Sequence, residues 1–290
     1  MIDRSLDSAS KRLSLKKLLQ SGHCLQFPGA LSALSGLMIQ KKDFDGVYIS
    51  GAMIANQLGY PDTGLTTLTE VAHQGNAIAN AVSLPCIIDA DTGFGNEDQC
   101  VRTIMTLEEA GLAGCHIEDQ VYPKRCGHLN HKKLISTKEM VAKIAACVHA
   151  RKDSNFLIIA RCDANHVEGF DAMIERSKAY VDAGADVIFL EALETLDEYK
   201  VARNEINAFL LANCTEFGKT PLFNYKTFSN MGYNIVIYPL TLQRLCMNSI
   251  AEGLDHLKRV GDMKSMLTQM QTRTDLYDLL NYQPEGDDET

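Results

Sequence analysis

A single thiol among cations is the strongest chemical signal in the chain. In Lys124-Arg125-Cys126-Gly127-His128, the cysteine has three neighbours able to carry positive charge and a glycine that lets the backbone approach a ligand. Nearby cations lower a thiol's pKa, so Cys126 is expected to exchange protons near neutral pH. Carboxylates lie upstream, in Asp89-Ala90-Asp91 and in Glu118-Asp119. Asp89 and Asp91 are two apart and, on one strand, point to the same face. Carboxylate oxygens and waters suit Mg2+, with Mn2+ as the alternative, and not zinc. Asp89, Asp91 and Glu118 are the candidate metal ligands, and His116 reads as a packed residue or a hydrogen bonder behind them. Together these groups suit metal-assisted acid–base chemistry on an anionic substrate.

Arg161 follows the apolar run Phe156–Ala160 and is expected to be held near a sheet. A partly buried arginine needs an anion, either Glu191 or a substrate carboxylate. Arg244 and Arg273 lie on helical patterns and, by position alone, read as surface charges. Tyr60 and Asp62 read as turn residues. The stretch Tyr122–Lys133 is long and polar, with the composition of a mobile lid.

These groups need a frame, and the apolar runs supply one. Eight runs read as strands: Cys24–Phe27, Val47–Ile49, Cys86–Ile88, Cys115–Ile117, Phe156–Ala160, Val187–Leu190, Phe209–Ala212 and Ile235–Tyr238. Helical patterns separate most of them, at Leu68–Val82, Glu97–Ala110, Thr137–Ala150, Gly169–Ala183 and Leu240–Leu257. Gly111, Gly184 and Gly232 stand where left-handed helix caps would fit. Short, nearly all-apolar strands with helical crossovers imply a parallel sheet buried on both faces. Eight such units predict a (β/α)8 barrel of the TIM type, a single domain over 1–290. A doubly wound open sheet would announce a glycine-rich phosphate loop after its first strand, and none is visible.

Polar residues follow the strands: Ser50-Gly51, Asp89 and Asp91, Glu118-Asp119, Arg161 and Asp163, Glu191, then Asn213 and Thr215. Helix caps would be Ser, Thr, Asp or Asn, so the Glu and Arg in this series argue for a common mouth instead. The patterns Asp262–Thr272 and Thr274–Leu280 exceed what the eighth unit needs. Residues 262–290 therefore read as a C-terminal helical extension, with the acidic Glu285–Thr290 frayed at its end.

Composition excludes several classes. Net charge is −9, from 28 basic and 37 acidic residues, and the chain holds no tryptophan and no long basic run, which argues against nucleic-acid binding. No apolar stretch is long enough to span a membrane, and the charged start has no secretory apolar core. Asp3 and Asp7 disfavour an organelle presequence. Nine cysteines without zinc-like spacing read as reduced thiols of a cytoplasmic enzyme.

The motifs also carry a likeness. Lys124–His128, preceded by His116-Ile117-Glu118-Asp119-Gln120, resembles the signature of the isocitrate lyase/phosphoenolpyruvate mutase superfamily. Tyr48–Gly51, Asp89–Gly95, Asn213–Phe217 and Gln271-Thr272-Arg273 agree with its short-chain branch, and the likeness runs roughly from Leu25 to Tyr282. The nearest agreement is with the 2-methylisocitrate lyase family, which cleaves a tricarboxylate to pyruvate and succinate in the methylcitrate route of propionate breakdown. The resemblance implies Mg2+ on Asp89 and Asp91, largely through waters. It implies Tyr48 or Asp62 as the base, Arg161 beside the pyruvate oxygen, and Cys126 as the donor that protonates the succinate half. Ser50, Gly51 and Ala52 would touch pyruvate. Gly127, His128, Asn213, Cys214, Thr215, Arg244 and Arg273 would hold the succinyl part, with Glu191 organising them. It further implies a homotetramer with C-terminal helices exchanged between subunits.

Departures bear on the substrate. Position 52 is Ala where close relatives have Gly and isocitrate lyases a Trp, which favours a methyl-bearing substrate. Cys162 and Cys214 replace residues of other types. Lyases of 2,3-dimethylmalate or another substituted malate are the sibling readings, and isocitrate itself is a weaker one. Cys126-Gly127-His128 argues against a phosphonopyruvate enzyme, and the joint presence of Cys126, Asp89, Asp91 and Arg161 against a silent barrel that only binds a dicarboxylate.

Overall fold

The computed structural model describes residues 7–284, so the expectation for Glu285–Thr290 lies outside the described residues. A helix α1 (Ser8–Gln20) leads into β1 (Leu25–Pro28) and α2 (Ala33–Lys41). Next come β2 (Val47–Ile49) with α3 (Gly51–Gln57) and α4 (Leu68–Ala79), then β3 (Cys86–Asp89) with α5 (Glu97–Glu109). They are followed by β4 (Gly114–Glu118) with α6 (Thr137–Ala150), and β5 (Leu157–Cys162) with α7 (Asn165–Glu168) and α8 (Phe170–Asp182). The last units are β6 (Val187–Leu190) with α9 (Leu196–Glu205), β7 (Phe209–Asn213) with α10 (Tyr225–Asn230), and β8 (Ile235–Tyr238) with α11 (Thr241–Val260). A 3-10 turn (Lys264–Gln269) and α12 (Arg273–Leu280) end the described chain.

All strand pairs are parallel, in the order β1-β8-β7-β6-β5-β4-β3-β2. The last seam, β1 to β2, is joined by a bridge between Gly29 and Tyr48 and by the Ala30 amide donating to the Tyr48 carbonyl at 2.9 Å. The eight expected strands are therefore the eight of a TIM-type barrel. Gly111, Gly184 and Gly232 have positive φ at or beyond helix ends, as expected. The extension differs from its pattern: Asp262–Thr272 holds only a 3-10 turn, and Met270 is already extended.

Apolar strands are explained by two cores. Leu25, Phe27, Ile87, Ile159, Val187 and Leu211 fill the barrel interior. Their sequence neighbours, such as Ile88, Ile158, Ile188 and Leu210, pack against the helices. Side chains alternate faces along a strand, so each strand splits its residues between the two. Leu15 and Leu19 of α1 join the interior core fully buried and stopper one end of the barrel. Burying such a leucine contributes roughly 1.5–3 kcal/mol. Arg12 and Lys11 fix α1 there by donating to the Leu112 and Ala79 carbonyls at 2.8 and 2.7 Å. The opposite end, where the strands finish, is left for polar groups.

Candidate active site

Strand register decides which polar groups meet. Asp89 stands beside His116 across β3–β4, and Glu118 beside Arg161 across β4–β5. Tyr48, Asp89, His116, Glu118 and Arg161 share the inward parity of the barrel core, and continuing it brings Ser50, Asp91, Asp163, Glu191, Asn213 and Thr215 to the mouth. All of these are buried.

Two carboxylates are arranged for a hard cation. The Gly51 amide donates to Asp89 Oδ2 at 3.1 Å, and the Asp91 amide to Asp89 Oδ1 at 2.9 Å. Glu118 Oε1 is buried without a hydrogen bond, while Asp91 Oδ1 and Glu118 Oε2 are buried against the cations Lys124 and Arg161. Lys124 lies 2.9 Å from Asp91, so an ammonium already satisfies part of this negative charge, and Lys124 also pairs with Asp62. A Cβ on Gly51 would sit 2.9 Å from Asp89 Oδ2 and 3.3 Å from Asp91 Oδ1, so glycine keeps this cradle open. Among the described residues, no group of three or more His, Cys, Asp or Glu is disposed to hold one ion. Mg2+ is commonly bound through one or two carboxylates and several waters, so Asp89 and Asp91 fit it. Glu118 faces the Arg161 guanidinium at 3.0 Å, and burial pushes its carboxyl well above the usual range.

Beside the carboxylates stands a phenol–imidazole pair. Tyr48 Oη lies 2.7 Å from His116 Nε2, with the rings stacked. Burial drives His116 down to about 4, so the imidazole is neutral, and it drives Tyr48 well above the ordinary phenol value. His116 thus has the packed, hydrogen-bonding place expected of it.

The arginine's partners differ from expectation. Arg161 bonds Asp163 through Nη2 at 3.0 Å and faces it through Nε at 2.9 Å, while Glu191 stands 4.0 Å away. Glu191 instead gathers neighbours: Asn213 Nδ2 donates to it at 3.3 Å, and His128 Nε2 lies 3.0 Å off. The Lys219 amide donates to His128 Nδ1 at 3.0 Å, which leaves the imidazole proton on Nε2, facing Glu191. Burial raises the Glu191 pKa, but Arg161, His128 and Lys132 outweigh it and hold the carboxylate ionised.

The stretch after β4 forms a cover on a paired stalk. The Val121 amide donates to the Lys133 carbonyl at 2.7 Å, and the Ile135 amide to the Asp119 carbonyl at 3.0 Å. At its tip Gly127 backs onto the site so closely that a Cβ would overlap Arg161 and Glu191. Cys126 is half-buried here, and its acidity corrects the sequence-based expectation. Burial raises the thiol's pKa above its ordinary value, aided by Asp62 and Glu191, with the His128 amide and Arg161 opposing. The adjacent side chains are spent elsewhere, Lys124 on Asp62 and Asp91, and His128 on Glu191. Cys126 rests as a neutral thiol, able to donate a proton.

The expectations for Cys214 and Asp119 are revised. Cys214 and Cys162 have outward parity: each packs in the helix-side core, and Cys214 Sγ donates to the Phe223 carbonyl at 3.7 Å. Asp119 also faces outward, accepting from Tyr180 Oη at 2.7 Å and from Cys162 Sγ at 3.3 Å. Arg273 is exposed on α12 and bonds none of the described site residues. Arg244 reaches the mouth's rim, where Nη1 meets Glu216 at 2.7 Å and Thr215 Oγ1 at 3.4 Å. Ala52 is half-buried on α3, whose N-cap is Ser50.

Two participants escaped the sequence reading, Gln120 and Lys132, and Asp163 was noted only as a strand end. Asp163 Oδ1 accepts from Gln120, Lys132 and Arg161 at 3.2, 2.9 and 3.0 Å. The spacing of Asp163 from Arg161 was the available signal, because residues two apart share a face.

Comparison with known proteins agrees with this geometry. The family model described as phosphoenolpyruvate phosphomutase matches residues 15–258. A probable 2-methylisocitrate lyase of Corynebacterium glutamicum is 49% identical over 284 residues, 98% of this chain and 93% of that protein. The 2-methylisocitrate lyase of Aeropyrum pernix is 44% identical, over 93% of this chain and 87% of its own. Among solved structures, a 2,3-dimethylmalate lyase described as a PEP mutase/isocitrate lyase superfamily member superposes with TM-score 0.88 at 33% identity, covering 95% of this chain and 92% of that one. A phosphonopyruvate hydrolase solved with oxalate and Mg2+ gives TM-score 0.85 at 26% identity, covering 93% and 95%.

Proposed function

The chain belongs to the phosphoenolpyruvate mutase/isocitrate lyase superfamily, and from that premise we propose that it is an Mg2+-dependent lyase that cleaves 2-methylisocitrate to pyruvate and succinate. The observation that carries the reading is a neutral thiol, Cys126, held by a closed loop over a mouth of two carboxylates, an arginine and a phenol–imidazole pair. The near full-length likeness to 2-methylisocitrate lyases supports the substrate.

Asp89 and Asp91 would hold Mg2+, which as a Lewis acid makes the substrate hydroxyl more acidic and steadies the carbonyl that develops from it. Tyr48 is the base favoured by the geometry, since Asp62 is engaged by Lys124. The Tyr48 oxygen takes the hydroxyl proton while its own passes to His116 Nε2. The carbon–carbon bond then breaks, with its electron pair moving into the succinate half as an aci-carboxylate. Arg161 sits beside the new carbonyl oxygen. Glu191, through Asn213 and His128, orients the donors around the departing carboxylates. Cys126 gives its proton to the carbanionic carbon.

The same reading includes a location and an assembly. All nine cysteines are free, as suits the cytoplasm, and no helix among the described residues is long and apolar enough to cross a membrane. Helix α11 has no buried residue, and Met247, Ile250, Leu254 and Leu257 recur along it, exposed, as an apolar stripe. Where an eighth helix would cover the barrel, a groove of about 280 Å³ is lined by Met38, Ile39, Phe44 and Leu242. Both features favour a homotetramer in which C-terminal helices are exchanged and Arg273 is delivered to another subunit's mouth.

The test is product identity. With Mg2+ and 2-methylisocitrate, isocitrate or 2,3-dimethylmalate supplied in turn, pyruvate from the first is the expected main product. Faster turnover of isocitrate to glyoxylate than of 2-methylisocitrate to pyruvate would refute the assignment, and faster turnover of 2,3-dimethylmalate would transfer it to the sibling lyases.

A further inference from the structure

Lys132 stands apart from the groups that touch substrate in this mechanism, yet its ammonium is buried at the base of the cover. Nζ donates to the Gly127 carbonyl at 2.7 Å and to Asp163 Oδ1 at 2.9 Å. Gly127 follows the proposed proton donor directly, and Asp163 also holds Arg161. One cation therefore ties the main chain beside Cys126 to the carboxylate that orients the arginine. A second strut runs in parallel. The Gln120 side chain accepts from the Arg125 amide at 3.0 Å and donates to the Arg125 carbonyl at 2.9 Å, and it too reaches Asp163. The cover is also tied to the site by Lys124, which meets Asp91 and Asp62, and by His128, which meets Glu191, whereas the contact of Lys219 Nζ with Asn130 at 2.8 Å is solvent-exposed.

Lifting the cover off the barrel would break the Lys132–Asp163 bond and leave the buried Asp163 with one cation fewer. A buried charge that loses a partner is costly, so the pair favours the closed state. We propose that Lys132 is a positioning residue: shared between the Gly127 carbonyl and Asp163, it sets the closed position of the loop and so the reach of Cys126 to the reacting carbon. The inference rests on the lyase reading for its kinetic consequence, but the geometry of closure does not depend on the substrate.

The test separates the two. In a Cys246→Ala background, which removes the exposed thiol, alkylation of each cysteine by iodoacetamide is followed by mass spectrometry in the Mg2+-loaded full chain. A hydrogen bond to a charged group shifts an equilibrium by roughly 10- to 100-fold, so Lys132→Met should accelerate labelling of Cys126 by about that factor. The buried Cys115 and Cys162 should stay unlabelled, as a gauge of intact folding. On the kinetic side, kcat should fall with the alkaline limb of the pH profile unmoved, and Lys132→Arg should recover part of both effects. Unchanged Cys126 labelling in Lys132→Met would overturn the proposal. So would labelling of Cys115 and Cys162 that rises in parallel, because the loss would then be general loosening. The alkylation arm needs no substrate, so failure of the lyase reading would leave it able to decide.

Discussion

At the scale of the residue, the thiol's acidity was the point at which sequence and structure diverged. The cations next to Cys126 in the chain are not the charges that act most on its thiol, which are Asp62, Glu191 and Arg161. Burial raises its pKa instead, and a proton donor must be protonated to act. The sign follows: kcat should stay level through neutral pH and fall only as the medium rises through the elevated thiol pKa. Cys126→Ser should abolish that alkaline limb and lower kcat by about 10²–10⁴-fold, the usual worth of a positioned acid, with substrate binding retained. Full activity in this variant, measured by pyruvate release, would remove Cys126 from the mechanism. Gly51 offers a second test. Its missing Cβ is what keeps Asp89 and Asp91 in one cradle. Gly51→Ala should raise the Mg2+ concentration needed for half-maximal activity by about 10-fold, the scale seen when groups supporting a metal's ligands are altered, while leaving the far-ultraviolet circular dichroism unchanged.

At the scale of the element, strand parity explains both what was legible and what was not. Eight apolar runs sufficed to place eight strands, because a strand buried on both faces has few polar positions until it reaches the mouth, Gln26 and His116 being the exceptions. Which face each terminal residue takes depends on register to a single position, and a slip of one reverses it. Glu118 and Asp119 look equivalent in the chain, yet one meets Arg161 and the other Tyr180 behind the barrel. Cys214, between Asn213 and Thr215, is turned outward by the same rule. Cys214→Ala should therefore lower the melting temperature by a few degrees, about 1–3 kcal/mol for a truncated buried side chain, with KM unchanged. An altered substrate preference in that variant would return Cys214 to the pocket. Lys132 and Gln120 were illegible for another reason: a loop has no periodicity from which a partner can be inferred.

At the scale of the whole molecule, the chain is unfinished on one side. A helix of 20 residues with none buried cannot be accounted for by its own barrel. Sedimentation should find a tetramer, and Leu254→Glu with Ile250→Glu should shift it to smaller species and reduce activity together. A fully active monomer would argue against exchange. The other end of the barrel is finished completely, by Leu15 and Leu19. With the interior filled and that end stoppered, both fragments of a cleaved substrate must depart through the mouth by which it entered. The fragment under the cover is expected to leave first, and the one lodged against Asp89 and Asp91 to follow. Product inhibition records such a queue. The keto acid should compete with substrate for the empty enzyme, whereas the dicarboxylate, meeting an enzyme still occupied, should inhibit noncompetitively.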